Sequence, residues 1–359
     1  MLTPKQVAKE VRRYKEPNSI VFSLTSKCPL ACKYCYVKDI YKDLNAAYIK
    51  QCVYELENVL SPVCFNFFGG EPGVKCDVID EVMSFINQNV PCTIITSGIN
   101  LDGVKRLSEK YKNFYIILSF DGPYNNQRML KNGKQFDLSK IEIPDLKKVT
   151  VRTTISTDFD YRNIPYVLNW CSKHNFDWSY GWQEGIDKED TIDWVNLESV
   201  LFDIIKNLDL CENGYKLPIE LMRGIIEEYS PKDPKDRLGC DFGHNLIINS
   251  QGVFPCVGSQ YAMNEVEDVY PEQCYNCDVY SCHGQCLANN RKKNIKFNEL
   301  HCKFYKKVST LYKNIIKKYI ELYSEDDLKK MIAIHKLYYR EKCISVDHSN
   351  QYILNKGDF

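Results

Sequence analysis

The sequence predicts an α/β protein built on a parallel sheet, with a cysteine-rich unit behind it. Two observations carry this. Short β-rich apolar runs alternate with stretches of helical periodicity from residue 20 to about 210. Seven of the 17 cysteines then crowd into residues 240–302. The runs are Ile20–Leu24, Val63–Phe68, Cys92–Thr96, Phe114–Phe120, Val149–Ile155 and Asp177–Trp182. Between them, Ala47–Leu60, Val78–Asn89, Val104–Tyr111 and Ile164–His174 space their apolar residues at helical intervals. Such alternation implies parallel strands joined by right-handed crossovers. Six units are too few to close an eight-stranded barrel, so an open partial barrel and a doubly wound sheet fit equally well.

After the sixth run, Trp194–Leu208 and Ile219–Tyr229 read as helices, and the Pro/Lys/Asp stretch from Ser230 to Asp236 reads as a linker. Lys306–Tyr323 and Glu325–Glu341 read as lysine-rich surface helices. With 359 residues, 44% apolar and 26% charged, the chain has room for one large domain and a smaller one. Its formal net charge of zero gives no electrostatic case for nucleic acid or a membrane surface. No run approaches the ~18 apolar residues that a span needs. The polar N-terminus does not read as a signal peptide, so the expected location is cytoplasmic. In a reducing compartment, clustered cysteines read as metal or redox ligands rather than disulfides. The scattered Cys52, Cys64, Cys76, Cys92, Cys171, Cys211 and Cys343 read as small buried hydrophobes.

The unusual residues follow the strands. Cys28, Cys32 and Cys35 come after the first, Gly69-Gly70-Glu71-Pro72 after the second, and Thr96-Ser97-Gly98 after the third. Ser119-Phe120-Asp121-Gly122 follows the fourth, Arg152 lies near the end of the fifth, and Gln183 follows the sixth. The carboxyl ends of parallel strands open on one face, where ligands bind. Six such patches in succession describe a site.

Three cysteines are one short of a tetrahedral ligand set. Zinc would need a further Cys or His, and the nearest His in sequence, His174, is distant. A [4Fe–4S] cube takes one external ligand per iron, so three thiolates leave one iron open. The spacing C-x3-C-x2-C, with Tyr34 before the third cysteine, resembles the signature of radical S-adenosylmethionine (SAM) enzymes. Gly69-Gly70-Glu71-Pro72 resembles that family's GGEP motif, which implies binding of the SAM amino group. The stretch SFDGPYNNQRMLKNGKQFD, with Asp121, is similar to the S-x-D-G…R…G segment of the peptide- and protein-modifying branch. By position, Ser97 matches the family's T-N-G, Ser119 and Arg152 would contact the SAM ribose and carboxylate, and the strand before Gln183 would contact the adenine. The resemblance implies a partial (β/α)6 TIM-like barrel. It also implies that the open iron chelates SAM, whose reductive cleavage gives a 5′-deoxyadenosyl radical able to abstract hydrogen.

The spacing Cys240-x15-Cys256, then Cys274-x2-Cys277-x4-Cys282-x3-Cys286-x15-Cys302, resembles the seven-cysteine SPASM domain. That implies a distal auxiliary [4Fe–4S] cluster on Cys274, Cys277, Cys282 and Cys302, and an inner one on Cys240, Cys256 and Cys286. With the SAM cluster, three [4Fe–4S] clusters are expected; one auxiliary cluster or a zinc site is the alternative. The chain departs from the family pattern in Gly252-Val-Phe-Pro-Cys256, one residue short, and in the four-residue interval between Cys277 and Cys282. No eighth cysteine lies within a few residues before Cys240, and Cys211 is distant, so Asp236 or Asp241 could complete the inner cluster, or an iron stays open. His244 and His283 read as structural. The expected units are an N-terminal extension (1–19), the barrel (20–230), the SPASM unit (231–305) and C-terminal helices with a tail (306–359).

This architecture implies a maturase that modifies a ribosomally made peptide by thioether, ether or C–C crosslinking, or by epimerisation. A flavodoxin- or ferredoxin-type protein would donate electrons. About 19 residues precede the first strand, so leader recognition is expected to reside on the barrel, to reside on a separate protein, or to be unneeded. An anaerobic sulfatase-maturing enzyme making formylglycine is the alternative enzyme. Val257 stands where that group has an Asp acting as base. A non-enzymatic Fe–S electron carrier or SAM-binding scaffold is the third reading, opposed by the intact cysteine and GGEP motifs.

Overall fold

The computed structural model describes residues 1–14, 17, 19–35, 37, 41–58, 64–125, 127–183, 191–207, 218–230, 245–255, 272–282 and 299–342, the last with side chains to 336. The six expected strands are present: β1 (Ser19–Thr25), β2 (Cys64–Gly69), β3 (Cys92–Thr96), β4 (Phe114–Ser119), β5 (Val149–Ile155) and β6 (Asp177–Trp182). They pair in parallel in the order β6-β5-β4-β3-β2-β1. The sheet continues past β1 with β7 (Asn245–Asn249), parallel to β1, and its antiparallel partner β8 (Gly252–Phe254). These two strands lie where sequence reading saw only turns and cysteines.

The sheet has two unlike faces because its residues alternate. Ile20, Phe22, Phe65, Phe67, Ile94, Phe114, Ile116, Val151, Trp178 and Tyr180 bury one face in the main core. Complete burial of each such side chain stabilises by roughly 1.5–3 kcal/mol. The register aligns Asn66 with Thr93, Thr93 with Tyr115, and Ser119 with Arg152 and Ser179 on the opposite face. That face mixes these polar residues with Ile95 and Ile117 and with a small cluster of Val21, Ile247 and Phe254, with Phe68 against it.

The helices cover the apolar face. N-terminal α1 (Pro4–Val11) has Thr3 as its N-cap in a capping box with Gln6, and buries Val7 and Val11. The crossovers are α2 (Ala46–Glu57), α3 (Cys76–Met83), α4 (Leu101–Lys110) and α5 (Asn163–His174). Helix α3 stops at Met83, short of the expected Asn89. The Ser84 hydroxyl bonds back to the Glu81 carbonyl at 2.8 Å, competing with the helix ladder. Helices α6 (Trp194–Lys206) and α7 (Ile219–Tyr229) follow β6, and short α8 (Glu272–Tyr275) follows the β7–β8 hairpin. Last come α9 (Glu299–Leu322) and α10 (Glu325–Lys342). No helix among the described residues is long and apolar enough to cross a membrane.

Helix α9 docks on α6, α7 and β6. The buried hydroxyls of Tyr312 and Tyr180 hydrogen-bond at 2.7 Å. Glu198 of α6 accepts from Lys318 at 2.6 Å and from Asn314 at 2.7 Å. Gly224 of α7 makes room for Tyr312, since a Cβ there would lie 2.2 Å from its ring. Helix propensity alone would make Gly224→Ala stabilising by ~1 kcal/mol. The packing predicts the opposite sign, a loss of roughly 1–3 kcal/mol in denaturant unfolding; a gain in stability would contradict this docking.

Candidate functional site

The residue groups that follow the six strands in sequence lie toward the strands' carboxyl ends. Strand β1 runs into the loop carrying Cys28, Cys32 and Cys35, and β2 ends beside it. The two backbones meet too closely for side chains. A Cβ on Gly69, whose φ is +136°, would sit 2.2 Å from the Thr25 carbonyl, and one on Gly70 would sit 2.5 Å from that of Lys27. Gly70 N–H donates to Thr25 O at 2.6 Å and Glu71 N–H to Lys27 O at 3.0 Å. The double glycine therefore zips the end of β2 onto the root of the cysteine loop.

Glu71 pins the next strand. Its buried carboxylate accepts from Gly73 N–H at 2.7 Å, Thr96 Oγ1 at 2.6 Å and Ser97 N–H at 2.7 Å, and from the Ser97 hydroxyl. Four donors make good the cost of burying a carboxylate. Pro72 is buried at the start of the following 3₁₀ turn.

The far side of the cysteine loop is held by the segment after β4. Ala31 N–H donates to Met129 O at 2.7 Å, Lys33 N–H to Gln127 O at 3.0 Å and Lys131 N–H to Pro29 O at 3.1 Å. Leu30 and Leu130 form an antiparallel bridge within this ribbon. Beneath it, buried Asp121 accepts from the Tyr34 hydroxyl, from Arg128 Nε at 2.8 Å and from Thr154 N–H at 2.7 Å. Both oxygens of Asp121 thus face protein donors. Arg128 also lies 5.7 Å from the Tyr34 ring centroid.

Arg152 stands in register between Ser119 and Ser179. A Cβ at Gly181 would lie 2.9 Å from its guanidinium, so the Gly in the Trp178–Trp182 run leaves space for that side chain. Gln183 extends the β5–β6 pairing by donating its N–H to Ile155 O at 2.9 Å. His174 ends α5, at the opposite end of the sheet from the cysteine loop, and packs on Trp170 and Phe176. It is half-buried there, and that placement removes it as a zinc ligand for the first cluster.

Two supports went unread in the sequence. Asp43 accepts from Thr25 Oγ1 at 2.6 Å and pairs with Lys75 at 2.7 Å, while Tyr41 bonds Ser23 Oγ at 2.7 Å. They tie the chain leaving the cysteine loop back to β1. The Arg128–Asp121 pair carried a visible signal, the Arg of the quoted segment, but no spacing revealed that it is buried.

Cys28 and Cys32 are half-buried and Cys35 is exposed. Burial raises the Cys28 thiol pKa and pushes that of Cys32 up to about 11, opposed at Cys32 chiefly by Arg128. Such thiols release protons when they bind metal. Among the described residues, no three His, Cys, Asp or Glu side chains converge to hold a single ion. Three thiols on one loop are the donor type that an iron–sulfur cluster takes.

The second cysteine field is described in part. Cys274 is buried in α8, Cys277 and Cys282 are half-buried, and Cys302 lies on the first turn of α9. Ser281 N–H donates to Glu228 of α7 at 2.8 Å, and Lys313 of α9 donates to Asp278 O at 3.3 Å. Phe304 seats the start of α9 on Trp182 and Trp194, with centroids 5.3 and 5.5 Å apart. Cys240, Cys256, Cys286, Asp236, Asp241, His244, Val257 and His283 lie outside the described residues.

Residues 22–157 match the family model described as the Radical SAM superfamily. "Uncharacterized protein MJ0907" of Methanocaldococcus jannaschii is 27% identical over 157 residues, covering 41% of this chain and 55% of that protein. The chain thus matches about half the length of that relative. "Radical SAM cyclopropyl synthase TigE" of Paramaledivibacter caminithermalis is 24% identical over 363 residues, 84% of this chain and 74% of the other. Among solved structures, anSMEcpe with bound AdoMet superposes with TM-score 0.61 at 19% identity, covering 85% of this chain and 100% of that one. Streptococcus suis SuiB bound to precursor peptide SuiA gives 0.56 at 15% identity, covering 80% and 75%. The parallel sheet accordingly has the partial-barrel fold of these structures.

The Asp43 staple gives a pH test. Hydrogen bonds from Lys75 and then Thr25 hold its carboxyl pKa down to about 2. A depressed carboxyl stabilises the fold above its unfolded value of ~3.9 and loses that contribution as pH falls through the folded value. Asp43→Asn should therefore cost ~1 kcal/mol at neutral pH, after allowing for solvent screening. Unfolding curves should show the gap closing between pH 4 and pH 2; a gap independent of pH would contradict the ion-pair assignment.

Proposed function

We propose that this chain, which is a radical SAM enzyme, modifies a side chain or backbone carbon of a ribosomally made peptide. The observation that carries the reading is the three-thiol loop at the mouth of the parallel sheet. It is zipped to β2 by Gly69 and Gly70 and backed by the ribbon through residues 127–131. Cys28, Cys32 and Cys35 would each bind one iron of a [4Fe–4S] cluster, leaving the fourth to SAM. With SAM bound and one electron supplied, the group provides a carbon-centred radical able to take hydrogen from an unactivated C–H bond.

The remaining work belongs to the protein. Tyr34, Gly69, Gly70, Glu71, Pro72 and Ser97 would form the wall against the methionine half of SAM. Ser119 and Arg152 stand on β4 and β5, and Asp121 and Gln183 follow β4 and β6, where the nucleoside half would extend. Arg152 offers a guanidinium for a carboxylate. Asp121 acts from behind, by holding Tyr34. The polar barrel face orients the cofactor, and the peptide closes the mouth against water.

Cys274, Cys277, Cys282 and Cys302 would hold a distal auxiliary cluster, on a scaffold fixed by Glu228, Lys313 and Phe304. Cys240, Cys256 and Cys286 would hold an inner one, making three [4Fe–4S] clusters. A flavodoxin- or ferredoxin-type donor and, where leader recognition is separate, a leader-binding protein complete the system. The relative described as a cyclopropyl synthase and the neighbour carrying a precursor peptide support a peptide substrate, and the former favours carbon–carbon bond formation. Formylglycine formation is disfavoured by Val257.

Reconstituted protein given SAM and dithionite should release 5′-deoxyadenosine, and Cys28→Ala/Cys32→Ala/Cys35→Ala should abolish that release while retaining auxiliary iron. Absence of cleavage at full iron and sulfide load would overturn the catalytic reading. Co-expression with a candidate peptide, read by mass spectrometry, should show a mass change that the triple variant does not produce. An unmodified peptide from every neighbouring open reading frame would point away from peptide maturation.

A further inference from the structure

The ribbon behind the cysteine loop has a register. Its hydrogen bonds join residues 29 with 131, 31 with 129 and 33 with 127. Leu30 bridges Leu130 between the first two of these pairs. Cys32 therefore stands directly opposite Arg128 at a non-hydrogen-bonded position, where antiparallel side chains approach most closely. Leu30, Cys32 and Tyr34 share one face of the ribbon by alternation. On that face Arg128 reaches diagonally over the Tyr34 ring, 5.7 Å from its centroid, while its Nε donates to Asp121 at 2.8 Å.

Arg128 is buried, and the Asp121 carboxylate against it is more deeply buried still. Its positive charge is thus fixed and shielded from water, where charge acts most strongly. Asp121 accepts from the Arg128 Nε and offsets part of that charge, and at Cys32 the influence of Arg128 is the larger of the two. Thr154 N–H and the Tyr34 hydroxyl hold Asp121 in turn.

We infer that Arg128 is a positioning residue that sets the reduction potential of the cluster on Cys28, Cys32 and Cys35, by holding a fixed positive charge across the ribbon from Cys32. Adding an electron makes the cluster more negative, so a nearby cation favours the reduced form. Asp121 and Tyr34 keep the guanidinium in place. The inference rests on those three cysteines holding the cluster, as proposed above.

The test is a redox titration of reconstituted holoprotein, following the SAM-sensitive component of the reduced-cluster EPR signal. Arg128→Gln should load iron and show a lower potential. At a fixed solution potential the reduced-to-oxidised ratio should fall about tenfold, equivalent to ~59 mV for one electron. Arg128→Lys, which keeps the charge, should restore most of that ratio. If Arg128→Gln fails to load, Asp121→Asn/Arg128→Gln removes the stranded carboxylate and should load with the lowered potential. A wild-type potential in either loaded glutamine variant would overturn the inference. So would a Lys variant that behaves like Gln, or failure of both glutamine variants and the Lys variant to load, since packing alone would then explain the residue. A SAM-sensitive signal that survives removal of the three cysteines would overturn the functional reading, and this inference with it.

Discussion

The contact on which the site depends is the close approach of two backbones at the end of β1 and β2. Without side chains at Gly69 and Gly70, β2 can donate hydrogen bonds directly to the Thr25 and Lys27 carbonyls. That fixes where the cysteine loop begins. It also delivers Glu71 into a buried position where four donors from Gly73, Thr96 and Ser97 tie it to β3. Three strand ends are thereby locked together before any cofactor is considered. A larger residue at either glycine would collide with backbone, which cannot move aside as a side chain can.

The same logic repeats on the other side of the loop with charge in place of close packing. Asp121, at the end of β4, gathers Tyr34 from the loop, Arg128 from the ribbon and the Thr154 amide from β5. The loop is held from two directions by groups that carry no ligand themselves. Its thiols are left at the surface, two half-buried and one exposed. Such a loop can be rigid in backbone and still open to a cofactor, which is what preorganisation of a binding site requires.

Much of this was legible in sequence because its causes are local. Alternating runs and helical spacing report burial of one face, and all six strands of the barrel followed from them. The site's location followed because Gly, Cys and small polar residues recur after parallel strands. What stayed hidden depends on distant pairing. Strand β7 joins β1 across more than two hundred residues, and a five-residue run beside cysteines carries no mark of its partner. Asp43, Lys75 and Arg128 look like ordinary surface charges until the fold brings them to Thr25 and Asp121. Helix α1 was missed because a short polar segment shows its apolar side only through Val7 and Val11.

The described part of the second cysteine field is joined to the sheet and its helices: α9 seats Phe304 between Trp182 and Trp194, and Glu228 holds the Cys277–Cys282 turn. The central claim remains that the three-thiol loop leaves one iron for SAM. The most direct measurement is the EPR spectrum of the reduced protein with and without SAM carrying a 17O- or 15N-labelled methionine moiety. Hyperfine coupling between the label and the cluster in the wild type, absent after Cys28, Cys32 and Cys35 are replaced by alanine, is the result this structure predicts. A cluster signal indifferent to SAM, or coupling that persists without the three cysteines, would contradict it.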